Sequence, residues 1–389
     1  MQARDVIVVG GGPAGLATAL HVRAAAPAAR LLVLEAERYP REKICAGGIG
    51  ARGLRVLEQL GISLDVPMVR LDAVALRVGG ETMLARDPEL GVVVRRIDFD
   101  HALANQVMAR GIEVRDGCAV RALRVTDSGV EVEVATGETL HARAIVGADG
   151  VAGIVRRAAG FPRGELRAQV VELDTEAAPR DLPRDTIVFD FTAADLSGYA
   201  WDFPTLVAGE PLVCRGAYVL HHRGPDSPRA RVERYLAACG APRVRSRYKQ
   251  FAERGFEPGA AISRPRVLLV GEAAGIDIAT GEGIAQAIEY GALAGPYLAR
   301  ALARDDLGFA SWRRHVDLHH VGWQLRIRHA CYRVFFSRRR PTVERMLPAM
   351  SALLRVGVQD FAGKRVSKLD LVRGAAQFLR AYVRENARD

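Results

Sequence analysis

The chain has 389 residues, 49% of them apolar and 26% charged, with five cysteines at irregular spacing and no CxxC pair. This composition excludes a disordered, collagen-like or disulfide-stapled protein and offers no zinc or redox cysteine pair, while the length suits two or three subdomains. Residues 301–389 carry 18 Lys and Arg against 8 Asp and Glu, so the whole formal excess of +10 lies there; such a segment is a solvated helix face or a surface for an anionic membrane or an acidic partner, with nucleic acid not expected.

The first apolar run, Val6 to Val9, is short and leads straight into glycines, unlike a signal peptide. No run of about 18 uncharged apolar residues follows. A cytoplasmic protein is expected, with peripheral membrane contact through the basic segment. Val6 to Val9 reads as a buried parallel strand, Gly10 to Gly15 as a turn, Leu16 to Ala25 as a helix and Leu31 to Leu34 as a second strand. Leu54 to Leu60 reads as a helix ended by Gly61. Segments 71–78 and 81–85 read as strands joined at Gly79-Gly80, and Phe99 to Arg110 as a helix closed by Gly111. Short strands follow, with turns at Asp127-Ser128-Gly129 and Thr136-Gly137. Further strands are expected near 167–173, 186–191 and 212–220, a helix over Arg231 to Ala238, a buried strand over Val267 to Val270 and a long helix over Gly283 to Leu302. Beyond it Trp312, Val316, Trp323, Ile327 and Val334 recur at steps of 4, 7, 4 and 7, as one apolar helix face would.

Gly10-Gly11-Gly12-Pro13-Ala14-Gly15 fits G-x-G-x-x-G in its required setting, after a strand and opening a helix. Glu35 ends the second strand, 20 residues after Gly15, where an acidic side chain accepts from an adenosine ribose. The helix N-terminus offers N–H donors and positive partial charge to a pyrophosphate. This motif does not separate NAD from FAD. Two later segments bear on that choice: Ala144-Ile145-Val146-Gly147-Ala148-Asp149-Gly150, and Val267-Leu268-Leu269-Val270-Gly271-Glu272-Ala273-Ala274-Gly275.

Together with Arg96-Ile97-Asp98-Phe99-Asp100, these motifs resemble the p-hydroxybenzoate-hydroxylase-like flavoprotein superfamily. The resemblance implies FAD, with Glu35 and Ala36 at the adenosine ribose and Arg96 near the cofactor. It puts Asp149 at the motif junction and Gly271-Glu272 at the ribityl chain, where relatives usually carry Asp. Gly281-Glu282-Gly283, leading into Ile284, opens the long helix; its N–H groups suit the flavin pyrimidine edge, where reduction builds negative charge. No second G-x-G-x-x-G appears, so NAD(P)H or another external donor is expected to bind only transiently.

Pro40-Arg41-Glu42-Lys43-Ile44-Cys45-Ala46-Gly47-Gly48 and Tyr199-Ala200-Trp201-Asp202-Phe203-Pro204 are similar to two segments of the geranylgeranyl reductase family. The chain departs from that family at Ala46, at Thr205 and at Cys214-Arg215-Gly216. The resemblance implies an α/β fold (α+β overall). A Rossmann-like FAD-binding domain over 1–70, 95–164 and 262–304 holds an inserted mixed-sheet substrate domain over 71–94 and 165–261. A basic helical segment over 305–389 completes the chain. Arg41, Cys45, Ala46 and Gly47 are expected against the cofactor. Tyr199, Trp201, Phe203 and Pro204 are expected around a hydrophobic small-molecule substrate. Cys45 and Tyr199 are candidate proton donors, though Cys45 also suits plain packing. Adjacent pairs His221-His222 and His319-His320 lack carboxylates at ligand spacing, and no metal is expected. The expected activity is flavin-dependent reduction of carbon–carbon double bonds in an isoprenoid-type substrate. The alternative is monooxygenation, as hydroxylation or epoxidation, of a hydrophobic or aromatic small molecule.

Overall fold

The computed structural model describes residues 4–192, 197–220 and 227–386, so His221 and His222 lie outside the described residues. Two eight-stranded sheets organise the chain. The first is centred on five parallel strands in the order Val267–Leu269, Thr139–Gly147, Arg4–Val9, Leu31–Leu34, Glu113–Arg115. Parallel strands covered on both faces must be apolar throughout, and Val6, Ile7 and Val8 are fully buried. Helices Pro13–Ala25 and Ile284–Arg304 pack tightly against each other. Gly291 and Gly295, one turn apart on the long helix, meet Ala17, Thr18 and His21; any β-carbon there would collide with the other helix.

The second sheet runs Lys249–Arg254, Arg167–Thr175, Glu210–Leu220, Gly198–Val207, Thr186–Asp190, Met68–Val78, Glu81–Val94, Gly48–Gly50. It is antiparallel except where Thr186–Asp190 runs parallel to Met68–Val78. Gly48–Gly50 and Met68–Arg70 therefore belong to this sheet, although the sequence reading grouped them with the nucleotide unit. Lys249–Arg254 was not foreseen as a strand. It is an edge strand with one partner, and four of its six side chains are polar or charged.

The C-terminal segment folds as helices Trp312–Asp317, His320–Phe335, Arg340–Met346, Ser351–Phe361 and Lys368–Asn386. The apolar face expected from Trp312 to Val334 is split. His319 is extended, and the helix restarts there out of phase. Trp312 and Val316 are buried in the nucleotide core, where the indole N–H donates to the Leu269 carbonyl at 3.1 Å. Trp323, Ile327 and Val334 on the next helix are exposed. Tyr332, Val358 and Ala362 pack with Tyr199, Trp201 and Phe203, so these helices roof one face of the second sheet. No helix among the described residues is long and apolar enough to cross a membrane.

Candidate functional site

The site begins at the carboxyl ends of the parallel strands, where open α/β sheets bind ligands. Strands ending at Val9, Leu34, Gly147 and Leu269 deliver Gly10, Glu35, Ala148 and Gly271 to one place. Gly10 has φ +107°, and a side chain on it would collide with the Ala148 carbonyl. Gly12 caps helix Pro13–Ala25 without a side-chain partner, leaving the first-turn N–H groups free for an anion. Above Gly12 the space is open as far as the guanidinium groups of Arg96 and Arg41, 3.7 and 3.9 Å from where a β-carbon would stand. Both cations are fixed by Asp100: Arg96 binds it in a fork at 2.7 and 2.6 Å, and Arg41 reaches it at 3.0 Å. Glu35 accepts from the Gly11 N–H at 2.8 Å and the Glu37 N–H at 3.1 Å, so its carboxylate is held at the strand end.

Asp149 accepts from the Val155 N–H at 2.9 Å through one oxygen, while the other is buried without a partner. Burial pushes its carboxyl up to about 6. Glu272 lies beside Gly150 and accepts from the Arg254 N–H at 3.3 Å; burial raises its carboxyl, and nearby Lys43 opposes the shift. Gly10, Gly12, Pro13, Ala14, Glu35, Ala36, Arg41, Cys45, Ala46, Gly47, Arg96, Asp149, Glu272, Gly281, Gly283 and Ile284 all line one cavity of about 1190 Å³. Gly15 and Gly271 stand behind its wall. Gly15 would strike the Gly10 carbonyl if it carried a side chain, and Gly271 packs on Ala14.

The same cavity continues past Cys45 into a chamber lined by aromatic rings. Tyr199, Trp201 and Phe203 alternate on one strand and share its inner face, as period-two geometry requires. Pro204 follows the same rule to the opposite face and is absent from the lining, contrary to the sequence expectation. Thr205 and Arg215 are also off the cavity wall. Arg215 is fully buried and ion-paired to Asp202 at 2.5 Å and Asp181 at 2.6 Å. Gly216 leaves room for the Trp201 indole. The departures from the reductase pattern at 205 and 214–216 thus shape the sheet behind the chamber.

Cys45 stands at the junction. Its N–H donates to Glu172 at 3.1 Å, and its Sγ accepts from the Gly47 N–H at 3.4 Å. Burial raises the thiol despite Arg96, so it stays protonated. Tyr199 stacks on Tyr218 with centroids 5.1 Å apart, and its hydroxyl donates to the Thr280 carbonyl at 2.5 Å. That hydroxyl proton is committed to the loop before the long helix, so in this arrangement Tyr199 is a positioning residue. Tyr218 donates in turn to Glu253 at 2.7 Å. Burial raises the Glu253 carboxyl well above its usual range, and burial brings Glu172 up to about 7.

A buried ionic network, not foreseen from sequence, ties that loop to the C-terminal helices. Arg328 pairs with Asp277 at 2.7 Å, Glu282 at 2.5 Å and Asp360 at 3.0 Å. Arg52 pairs with Glu282 at 2.7 Å, Glu289 at 3.1 Å and Asp360 at 3.4 Å. His320 bridges Glu289 and Asp360 at 3.5 and 3.2 Å, so carboxylates do flank this histidine, brought from distant segments.

These features fit FAD. An uncapped helix N-terminus and two guanidinium groups suit its pyrophosphate. Glu35 and Glu272 offer acceptors at separate points of one elongated cavity, and Asp149 keeps an unpartnered buried oxygen beside it. Comparison with known proteins agrees. Residues 3–304 match the FAD binding domain family. Digeranylgeranylglycerophospholipid reductase 2 of Methanosphaera stadtmanae is 25% identical over 82% of this chain and 84% of its own. Rifampicin monooxygenase of Streptomyces venezuelae is 36% identical over 46% of this chain and 39% of its own. A geranylgeranyl bacteriochlorophyll reductase-like protein from Thermoplasma acidophilum shares the fold at TM-score 0.78, with 18% identity over 97% of this chain and 96% of that one. The chain belongs to the FAD binding domain family and is an FAD-dependent oxidoreductase with both reductases and monooxygenases among its relatives.

Proposed function

We propose that this oxidoreductase reduces carbon–carbon double bonds of a hydrophobic, isoprenoid-type substrate, with NAD(P)H or another external donor supplying electrons. The observation that carries this reading is the continuity of the cavity. It runs from the glycine turn at Gly12, past the Cys45 thiol, into a chamber walled by Tyr199, Trp201 and Phe203. A long apolar substrate fits a chamber of that lining better than a compact polar one. A relative named for reducing digeranylgeranylglycerophospholipids points the same way.

When bound, FAD supplies the hydride-transfer chemistry. The chain's residues exclude water, hold the substrate and manage the proton that alkene reduction also consumes. Cys45 keeps a neutral thiol at the junction and is the candidate donor. Glu172, on the Cys45 N–H and with a carboxyl near 7, is placed to orient that segment. Glu253, whose carboxyl is raised by burial and which lines the cavity, is the reserve acid. Tyr199 shapes the Thr280–Gly281 turn from which the long helix starts. The basic C-terminal segment suits an anionic membrane surface, where a polyprenyl substrate resides.

The test is anaerobic. Photoreduced, FAD-loaded enzyme is mixed with a short prenyl alcohol, and flavin reoxidation and saturated product are followed together. Reoxidation matched by product supports the reductase reading. Product that forms only when oxygen is admitted overturns it in favour of the monooxygenase alternative.

A further inference from the structure

We propose that helix Lys368–Asn386 is an interfacial membrane anchor, and that the substrate enters the cavity from the bilayer beside it. The entry route rests on the reductase reading; the anchor does not. The helix is built inside out. Its inward face is polar or small: Asp370 is held by Arg355 at 3.3 Å and Gln359 at 3.1 Å, and Glu385 by Arg345 at 2.6 Å. Gln377 accepts the Ala352 N–H at 3.0 Å, and Gly374 sits against Leu353, where a β-carbon would stand 2.8 Å from the leucine methyl. Its outward face is apolar. Leu369, Val372, Leu379 and Val383 are 56%, 67%, 62% and 59% exposed, flanked by exposed Phe378 and Tyr382. A helix facing water on that side has the opposite pattern, and a contiguous exposed apolar face of this extent marks a binding surface.

The charge on that surface has one sign. Arg373, Arg380 and Arg384 recur at i, i+7 and i+11, along one edge of the apolar face. With Arg365 and Lys368 they are exposed, and among the described residues none of the five forms an ion pair. Both acidic residues within 368–386 are turned inward onto arginines. An apolar face edged by cations alone complements anionic headgroups over acyl chains. In an antiparallel pairing of two copies of this face the arginine edges would meet, which disfavours that form of self-association.

The cavity supplies the third observation. Leu353 and Leu371 line it and are also exposed at the surface, next to this helix. The cavity therefore reaches the surface beside the apolar face, where an isoprenoid tail leaving the acyl chains would enter.

The experiment uses full-length, FAD-loaded protein with vesicles of phosphatidylcholine alone or mixed with phosphatidylglycerol. One variant combines Val372→Asp with Leu379→Asp, and another replaces Arg373, Arg380 and Arg384 by Gln. All these side chains are exposed, so retained flavin absorbance and Tm check folding. Sedimentation is expected with phosphatidylglycerol vesicles and to weaken with salt. At about fivefold per charge, the triple Gln variant should lose roughly 100-fold in partitioning. The Asp variant should lose vesicle-borne long-chain turnover while keeping the wild-type rate on a soluble short prenyl alcohol. Absence of binding to anionic vesicles, or binding unchanged in both variants, overturns the anchor. So does a concentration-dependent dimer that the Asp variant dissolves without altering vesicle binding. Equal loss on soluble and vesicle-borne substrates overturns the entry route. If no form reduces the soluble alcohol, the reductase reading falls and the entry route with it, while the vesicle data still decide the anchor.

Discussion

Glu35 is buried at a strand end, with its carboxylate already oriented by the Gly11 and Glu37 N–H groups. A preoriented charged acceptor forms a stronger bond to a ribose hydroxyl than a mobile one, about 1.5–3 kcal/mol. Glu35→Ala should therefore weaken FAD binding by about 10- to 150-fold in a flavin-fluorescence titration; unchanged affinity would show that the ribose lies elsewhere. Glu172 presents the opposite case, a carboxyl raised to about 7 by burial. The folded protein holds this proton more tightly than the unfolded chain, whose carboxyl sits near 4.5. Its contribution to stability is thus full below about pH 4.5 and is lost as pH rises through 7. Glu172→Gln keeps an acceptor for the Cys45 N–H and cannot ionise. Denaturant midpoints of this variant should decline less between pH 5 and 8 than those of the parent, and parallel curves would contradict the burial argument.

At the scale of elements, the ionic network fastens helices His320–Phe335 and Ser351–Phe361 to the turn at Glu282. Hydrogen bonds to Asp360 and Glu289 raise His320 to about 9, while the bond from His320 together with Arg328 and Arg52 holds Asp360 well below the usual carboxylate range. The His320 contribution is full below its ordinary value near 6.5 and disappears as pH rises through 9. The Asp360 contribution is present above its ordinary value near 4 and is lost only in strong acid. His320→Ala should accordingly lower Tm at pH 6 and have little effect above pH 9.5; an equal loss at both pH values would mean the ring acts by packing alone. Arg328→Met takes the cation from buried Asp277, while Glu282 and Asp360 keep Arg52, and should cost about 3–5 kcal/mol. None of this was legible beforehand, because Arg52 lies far in the chain from Glu282, Glu289 and Asp360. The dinucleotide motifs were legible because their signals are local: a β-branched run, glycines at fixed offsets, an acid at the next strand end. The alternating Tyr199, Trp201 and Phe203 were legible for the same reason. Pro204 shares their motif but not their facing, since strand geometry sends neighbours to opposite sides.

Across the whole molecule, the cavity is the seam between the two sheets. The glycine turn at Gly12 comes from the first sheet, Tyr199 and Trp201 from the second, and Arg328 and Asp360 from the helical roof. A ligand that binds only the assembled seam stabilises it by about 2.7 kcal/mol at a free concentration of 100 Kd. Whether both sheets receive that stabilisation depends on how firmly they are coupled, and the three tryptophans report on it. Trp312 is buried in the nucleotide core, Trp201 is buried in the second sheet, and Trp323 is exposed. With Trp323→Phe, fluorescence comes from one buried indole on each side of the seam. The loop from Thr280 to Glu282 is gripped by Tyr199 on one side and by Arg52 and Arg328 on the other. Such a joint should transmit FAD binding to both sheets. Comparing this variant with forms that also lack Trp201 or Trp312 should then show each indole's unfolding midpoint rising together when FAD is added. A rise confined to Trp312 would mean that the sheets are coupled only through the open chain, with the seam contacts contributing little.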